Sequence, residues 1–557
     1  MSRDTLSIQQ LSLNYEETEQ STLSDISFTI SEGETMLLLG PSGSGKSSLT
    51  FCLNGIYPSE LDGYTAGDVK LNEASISNSS PGQWSQRIGV VFQDPESQFC
   101  MLTVEDEIAF GLENIQTPPE EIETRIEEVL SLVDMEEYKE STISSLSGGQ
   151  KQKVALACVL ALQPAILILD EPTANLDPKA TQDFIDTIHS LHLQHSFGLI
   201  VIEHQLEGWA SFIERAVILQ KDGKMLYDGP LREAITTFGD ELKEQGIWIP
   251  KVTDLWLSHF GSSLQPLPLT IEEYMQSLEA NHLHAPAIIS RPNKRKALSN
   301  NLLMAKDLHV SKRNQAILRG IDVAIHKGEF IAILGPNGSG KTTLSRALAG
   351  IETKYEGDLM LHQRPLSSWK ERDLRKEIGY VFQNPEHQFI TDSVEEEIGY
   401  GMKVRSFSED YITQRVTEIM SYCQLEGLEK RHPYTLSQGQ KRRLSVATMI
   451  VDEQGLLFLD EPTFGQDARS TERLMSLLEQ RFKEDTTIVM ITHDMDLVQK
   501  YATRVLVMEE GRIIADQTPA ELWKQPNLAK WNLLLPTSVS LEKRLEALQD
   551  VYSITSN

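Results

Sequence analysis

Two stretches of the chain end a glycine-rich run in a lysine followed by a hydroxyl residue. One is Gly40, Pro41, Ser42, Gly43, Ser44, Gly45, Lys46, Ser47 and Ser48; the other is Gly335, Pro336, Asn337, Gly338, Ser339, Gly340, Lys341, Thr342 and Thr343. Glycines at this spacing let backbone N–H groups close on phosphate oxygens, and a helix beginning at the lysine adds the partial positive charge of its N-terminus. Lys46 and Lys341 would reach the β and γ phosphates of a nucleoside triphosphate, and the Ser47 and Thr342 hydroxyls would coordinate Mg2+. A chain of this length should match the pattern by chance about 0.02 times, and here it occurs twice. Further along, LILDE and LFLDE end apolar runs in adjacent carboxylates, Asp170 with Glu171 and Asp460 with Glu461. Successive side chains on a strand point to opposite faces, which predicts different jobs for the two acids. Asp170 and Asp460 would orient the water shell of Mg2+, while Glu171 and Glu461 would polarise an attacking water as general bases. One such pair alone is commonly a solvated strand end; a pair downstream of a phosphate loop points to hydrolysis.

These side chains need a scaffold, and it is written twice. VFQDPESQF (91–99) returns as VFQNPEHQF (381–389), LSGGQ (146–150) as LSQGQ (436–440), and LILDEPT (167–173) as LFLDEPT (457–463). Gln93 and Gln383, Ser147 and Ser437, and Asp170 and Asp460 stand 290 positions apart; His204 and His493 stand 289 apart, Lys46 and Lys341 295. One near-constant offset means two copies of one domain. Thr35–Leu39 and Phe330–Leu334 read as strands entering the phosphate loops, and 166–169, 456–459, 199–202 and 488–491 read as strands apolar on both faces. Between the FQ and LSxGQ motifs, Ile122, Ile126, Val129 and Val133 share one helix face, which reads as core packing. Each copy is therefore predicted as an α/β nucleotide-type core carrying a helical subdomain. The first copy spans 1–240 and the second 301–535. Residues 241–300 hold five of the chain's 23 prolines in 60 positions. That density predicts a small helical extension followed by an extended linker. A tail follows at 536–557.

Composition narrows the class. The 557 residues carry 51 Lys and Arg against 81 Asp and Glu, a net charge of −30. Such a balance argues against broad nucleic-acid binding, which needs cations to displace phosphate counterions, and against a polybasic grip on lipid. The basic run at 291–296 reads as a solvated part of the linker. Cys52, Cys100, Cys158 and Cys423 form no CxxC, so neither a disulfide framework nor a zinc site is indicated. The N-terminal residues lack the apolar core of a signal peptide, and no apolar run approaches the ~18 to 20 residues that span a bilayer.

The order of phosphate loop, FQ motif, LSGGQ-like signature, LDEPT and histidine resembles the ATP-binding cassette over both copies almost end to end. The resemblance implies tandem P-loop NTPase cassettes, each a RecA-like α/β core with a helical subdomain. It also implies ATP and Mg2+ as ligands. In that family two cassettes pair head to tail, so each ATP meets the phosphate loop of one and the signature of the other. Ser147, Gly149 and Gln150, and Ser437, Gly439 and Gln440, match the signature. Gln93 and Gln383 match the Q-loop, which touches Mg2+ or the attacking water; His204 and His493 match the γ-phosphate switch; Asp177 and Asp467 match the D-loop. Tyr15 stands where the family stacks an aromatic ring on adenine. With both copies in one chain, the pairing is expected to be intramolecular. The copies depart from each other at Tyr15 against Lys312 and Arg313, at Gly148 against Gln438, and at Asn175-Leu176 against Gly465-Gln466. These differences predict two competent sites of unequal rate.

The stretches after each Q-loop, 92–114 and 382–402, are similar to those of energy-coupling factor importers. That resemblance implies docking to a transmembrane coupling protein, itself joined to a substrate-binding subunit, with this chain peripheral at the cytoplasmic face of the membrane. Fused double cassettes of this kind resemble the ATPase subunits of bacterial importers for thiamine or its hydroxymethylpyrimidine precursor. The cargo is carried by analogy, because a cassette never touches it. The rival class is a soluble tandem-cassette translation factor; it would need a long basic linker toward RNA, and this linker is proline-broken with one short basic run. A sugar-importer tandem ATPase shares the duplication but fits TVEDEIAFG less well.

Overall fold

Five-residue strands with every side chain buried form the middle of each copy: Ile166–Asp170 and Gly198–Ile202 in the first, Leu456–Asp460 and Thr487–Ile491 in the second. Strands apolar on both faces must be covered on both, which is the habit of parallel sheets. The computed structural model describes the chain apart from residues 1–3, 16–20, 42, 60–62, 77–80, 175, 284–300, 313–314, 452–453 and 556–557, and the side chains of 58, 59, 81, 83, 438 and 548–555. Its described residues fall into two compact units, 1–176 with 180–284, and 285–557 with 177–179.

In the first unit the strands are β1 (Thr5–Asn14), β2 (Leu23–Ser31), β3 (Thr35–Leu39), β4 (Tyr64–Leu71), β5 (Ala74–Ser75), β6 (Ile88–Val91), β7 (Ile166–Asp170), β8 (Gly198–Ile202), β9 (Arg215–Leu219) and β10 (Met225–Pro230). A four-stranded antiparallel sheet runs β2-β1-β4-β5, and a six-stranded sheet runs β10-β9-β3-β8-β7-β6, parallel except for β10. Because β6, β7, β8 and β3 are parallel, the loops leaving their C-terminal ends gather at one edge, where open α/β sheets bind ligands. Those loops carry Gln93, Asp170 with Glu171, His204 and the phosphate loop. The helix Lys46–Leu53 inserts Leu49 and Leu53 into a core shared by both sheets, beside Leu6, Ile26, Ile168 and Ile200.

The second unit repeats the plan with β11 (Asn301–Lys312), β12 (Gln315–His326), β13 (Phe330–Leu334), β14 (Glu356–Leu361), β15 (Arg364–Pro365), β16 (Ile378–Val381), β17 (Leu456–Asp460), β18 (Thr487–Ile491), β19 (Arg504–Glu509) and β20 (Arg512–Gln517). Its sheet orders are β12-β11-β14-β15 and β16-β17-β18-β13-β19-β20. The fold is thus a pair of α/β units of one plan, each with a six-stranded, mostly parallel sheet beside a four-stranded antiparallel one.

The helical subdomain of the first copy contains helices Val104–Asn114, Pro119–Leu132 and Gly148–Ala161; that of the second contains Val394–Val404, Glu409–Tyr422 and Gln438–Ile450. The stripe expected between the motifs packs inward: Ile126 and Val129 are buried on the second helix and Val133 just past its end, with Ile122 half-buried. Over 231–280 lie three helices, Leu231–Glu244, Lys251–Phe260 and Ile271–Ala280, the first crossing the boundary expected at 240. They close on a buried aromatic pair, Trp256 and Tyr274, edge to face at 5.1 Å. The expected linker, with the basic run at 291–296, lies outside the described residues. The tail region carries a helix, Thr537–Thr555.

Candidate functional site

In the first copy the strand β7 stops at Asp170, and Glu171 leaves it with φ 48°. A left-handed backbone at a non-glycine residue costs free energy and persists where surrounding contacts enforce it. Its counterpart Glu461 repeats the conformation at φ 50°. This corrects the expectation from strand alternation: the two acids diverge because the chain turns between them, not because they alternate along a strand.

The turn delivers Glu171 to a bonded trio. Gln93 Nε2 donates to Glu171 Oε2 at 2.7 Å, and His204 Nε2 lies 2.9 Å from Glu171 Oε1. Burial pushes the Glu171 carboxyl up, but the hydrogen bond and charge of His204, with Lys46, outweigh it and hold the group below its ordinary value. Asp170 moves the other way. Burial, then the Glu171 charge, push it up to about 6, against the Ser47 hydroxyl and Lys46 beside it. The second copy reproduces the trio, with Gln383 Nε2 donating to Glu461 Oε2 at 3.1 Å and His493 Nε2 3.1 Å from Glu461 Oε1. There too burial raises Glu461, and His493, Lys341 and Gln383 bring it below the usual range.

Both phosphate loops close on their lysines. Lys46 Nζ donates to the carbonyls of Gly40 and Pro41 at 2.8 and 3.2 Å, and Lys341 Nζ to those of Gly335 and Pro336 at 2.8 and 2.9 Å. Each lysine is only 6% exposed. Gly45 and Gly340 open the following helices in the left-handed region, at φ 91° and 100°, with no side-chain cap. A side chain there would be strained, and the first-turn amides are left facing the loop. Ser44 Oγ and Ser339 Oγ are buried in the loops without a hydrogen-bond partner. Loop amides, a buried ammonium and an orphaned hydroxyl suit the oxygens of a triphosphate. Thr342 Oγ1 donates to Asp460 Oδ1 at 3.2 Å, a hydroxyl and a carboxylate side by side. Hard oxygen donors of this kind fit Mg2+. Ser42 lies outside the described residues.

Ser147 and Ser437 cap the signature helices through reciprocal bonds with Gln150 and Gln440: the glutamine N–H groups reach the serine hydroxyls at 3.3 and 3.4 Å, and the serine N–H groups reach the glutamine Oε1 atoms at 2.8 and 2.9 Å. The side chains of Gln150 and Gln440, expected at the nucleotide, therefore turn back onto their own helices. Gly149 and Gly439 lie in the first turns. Asp467 caps the helix Ala468–Lys483, accepting from Ser470 N–H at 2.7 Å, and Asp177 is buried just before the helix Pro178–Gln194. The Tyr15 hydroxyl shares a 2.7 Å hydrogen bond with Ser48, which places the ring beside the first phosphate loop. Lys312, at the matching place in the second copy, pairs with Glu352 at 3.4 Å. Thr343 lies in the first turn of its helix. Of the other differences between the copies, Arg313, Asn175 and the side chain of Gln438 lie outside the described residues.

Three residues escaped the sequence reading. Tyr380 donates its hydroxyl to Asp460 Oδ2 at 3.2 Å, where the first copy has Val90. Arg442 donates to the carbonyls of Phe382 (3.2 Å) and Gln383, tying the signature helix to the Q-loop, where the first copy has Gln152. Glu203 binds two loops at once. Laying one copy over the other displays each as a mismatch, but only burial shows its weight.

Comparison with known proteins agrees with this geometry. A family described as "ABC transporter" matches residues 23–174 and 318–464. A Bacillus subtilis (strain 168) protein, YkoD, provisionally named an HMP/thiamine import ATP-binding protein, is 43% identical over 558 residues, covering 100% of this chain and 99% of that one. A Caldanaerobacter subterraneus subsp. tengcongensis protein, provisionally named an ABC transporter ATP-binding protein, is 34% identical over 97% of this chain and 96% of its own length. Among solved structures, cbiO1 from Clostridium perfringens, described as part of the ABC transporter complex cbiONQ, is 32% identical over 45% of this chain and 100% of its own, with a TM-score of 0.38.

Proposed function

The chain belongs to the ABC transporter family as a fused pair of cassettes, an ATPase coupled to transport, and on that premise we propose that it is the energy-coupling subunit of an importer whose membrane-spanning parts are separate proteins. The observation that carries the proposal is the pairing, in both copies, of a Glu–His–Gln trio with an exposed apolar tip just beyond the glutamine. Leu102 is 82% exposed and Ile390 67%. Neither tip is slack. Glu107 accepts from the N–H groups of Cys100 and Met101 at 2.8 and 2.7 Å, and Glu397 from those of Ile390 and Thr391 at 2.9 and 2.7 Å. An exposed apolar side chain on or next to backbone that a carboxylate binds suits a protein partner better than water. Among the described residues no helix is long and apolar enough to cross a membrane, so a membrane path would come from partners: a transmembrane coupling protein and a substrate-binding subunit, with this chain at the cytoplasmic face. The full-length likeness to YkoD supports thiamine or its hydroxymethylpyrimidine precursor as cargo.

In the hydrolytic step Glu171 or Glu461 takes a proton from water as the water oxygen bonds to the γ-phosphorus and the bond to the β-γ bridging oxygen breaks. His204 and His493 hold the carboxylate and meet the γ-phosphate; Gln93 and Gln383 orient the water. Lys46 and Lys341 hold β and γ oxygens as they gain charge. Ser47, Thr342, Asp170 and Asp460, with Gln93 and Gln383, would hold Mg2+, which when bound neutralises phosphate charge. Tyr15 would stack on adenine at the first site. That each phosphate loop works with the other cassette's signature is supported by the family pattern and by two copies in one chain.

Affinity purification of the tagged chain from detergent-solubilised membranes tests the proposal. Integral-membrane proteins should co-purify in stable proportion. Ribosomal proteins and rRNA in their place would establish the translation-factor reading instead. The double variant Leu102→Asp, Ile390→Asp should cut the co-purified membrane protein by about tenfold or more, since a charge buried against an apolar partner costs well over 1.4 kcal/mol.

A further inference from the structure

Glu203 stands immediately before His204 and is only 5% exposed, a carboxylate that the hydrolytic step described above does not use. Its Oε1 accepts two donors from Thr173, the N–H at 3.1 Å and the hydroxyl at 2.6 Å, and its Oε2 accepts the N–H of His204 at 3.2 Å. Thr173 lies two residues beyond Glu171, on the same turn. One buried carboxylate thus spans the loop that carries the candidate base and the backbone that aims the candidate switch. Keeping an acid in such a place is costly unless its oxygens are bonded, and here both are.

The second copy is built differently. Thr492 takes the place of Glu203, and its hydroxyl accepts the N–H of Asp494 at 3.1 Å. Asp494 in turn caps the helix Met495–Tyr501 through the N–H groups of Asp496 and Leu497. In the first copy Gln205 replaces Asp494, and the segment continues to a short turn at Trp209–Ser211. The backbone just after His493 is therefore held at the start of a helix, while the N–H of His204 is held by a carboxylate that also binds the turn of the general base.

We propose that Glu203 is a positioning residue of the first cassette, holding His204 and Glu171 in register by tying their two loops together, a tie that Thr492 does not make among the described residues of the second cassette. The inference rests on the reading of Glu171 as base and His204 as switch. Burial first, then the neighbouring Glu171 charge, push the Glu203 carboxyl up to about 7, against the Thr173 bonds and His204. The charged groups facing it are Glu171, from the end of β7, and His204 on its own loop. A proton on either oxygen sets a hydroxyl against one of the three donors, so the tie weakens as pH falls through about 7. Glu203→Gln makes the same change at every pH, because an amide nitrogen cannot accept a hydrogen bond.

The test uses the full chain with the second site silenced by Glu461→Gln. In that background Glu203→Gln and Glu203→Thr should each lower kcat roughly tenfold with the KM for ATP within about twofold; displacement of a reacting group by 1 Å can cost about a hundredfold. Turnover at the first site should fall as pH is lowered through about 7, and Glu203→Gln should remove that step; in the Glu171→Gln chain, which reports the second site, the step should be absent. Unchanged kcat in the glutamine variant, or a pH step that survives in it, overturns the proposal. If the variants do not fold, the comparison between sites decides, and matching pH profiles overturn it. Turnover persisting in the Glu171→Gln, Glu461→Gln double variant would instead sink the reading of the bases.

Discussion

Replacing Glu171 and Glu461 together by glutamine should lower ATP turnover about a thousandfold while leaving ATP bound. The size follows from the chemistry: a positioned general base contributes roughly 10² to 10⁴ in rate, and a thousandfold corresponds to about 4 kcal/mol of barrier. Glutamine keeps the shape of the side chain and its contact with His204 or Gln93, but it cannot take the proton of water. The carboxylates are ready for that task at neutral pH, because His204 and His493 hold them below the ordinary glutamate range despite burial. A base with a depressed value stays ionised to lower pH, so neither glutamate itself should cause a loss of rate between about pH 6 and 8. Steady-state phosphate release and nucleotide binding measured on one preparation separate the two effects. Binding lost along with turnover would mean that the carboxylates support the loop and not the reaction.

Lys46→Ala with Lys341→Ala should act earlier, weakening ATP binding by a hundredfold or more. Each ammonium is buried against two loop carbonyls. In both copies it therefore waits where phosphate oxygens would join it, already desolvated and already placed. Hydrogen bonds to charged groups are worth about 1.5 to 3 kcal/mol each, and two to a phosphate give roughly 3 kcal/mol or more. Removing the lysines also leaves the carbonyls of Gly40 and Gly335 without that donor. Titration with a non-hydrolysable ATP analogue reads the loss directly. Affinity within about threefold of the unaltered chain would show that the loop amides alone hold the phosphates.

Much of the site was legible because its members sit in short motifs whose order repeats. Glu171 stands out by its place after a phosphate loop, Gln93 and His204 by repeat and by the family resemblance, and the structure bonds the three together. The parallel sheet was legible for the same reason, since runs such as ILIL and GLIVI leave no face for water. The rest was missed where chemistry depends on burial or backbone angle. Strand alternation was the wrong reason for the divergence of Asp170 and Glu171, because a left-handed residue leaves no mark in side-chain periodicity. Gln150 and Gln440, expected at the nucleotide, also carry the helix-capping bonds that S-x-x-Q at a helix start predicts. Glu203, Tyr380 and Arg442 are single letters differing between the copies. No pattern announces that the first bridges two loops, the second binds the Asp460 carboxylate, and the third binds the carbonyls of Phe382 and Gln383.

The copies share one trio and differ around it: Tyr380 braces Asp460 in the second, and Glu203 braces His204 in the first. Two competent centres with unequal surroundings should work at unequal speeds. Rapid mixing of the intact chain with excess ATP and Mg2+, with phosphate release resolved in time, tests that most directly. The expected record has two phases of about equal amplitude, one removed by Glu171→Gln and the other by Glu461→Gln. A single phase, or equal loss of turnover in the two variants, would contradict the account.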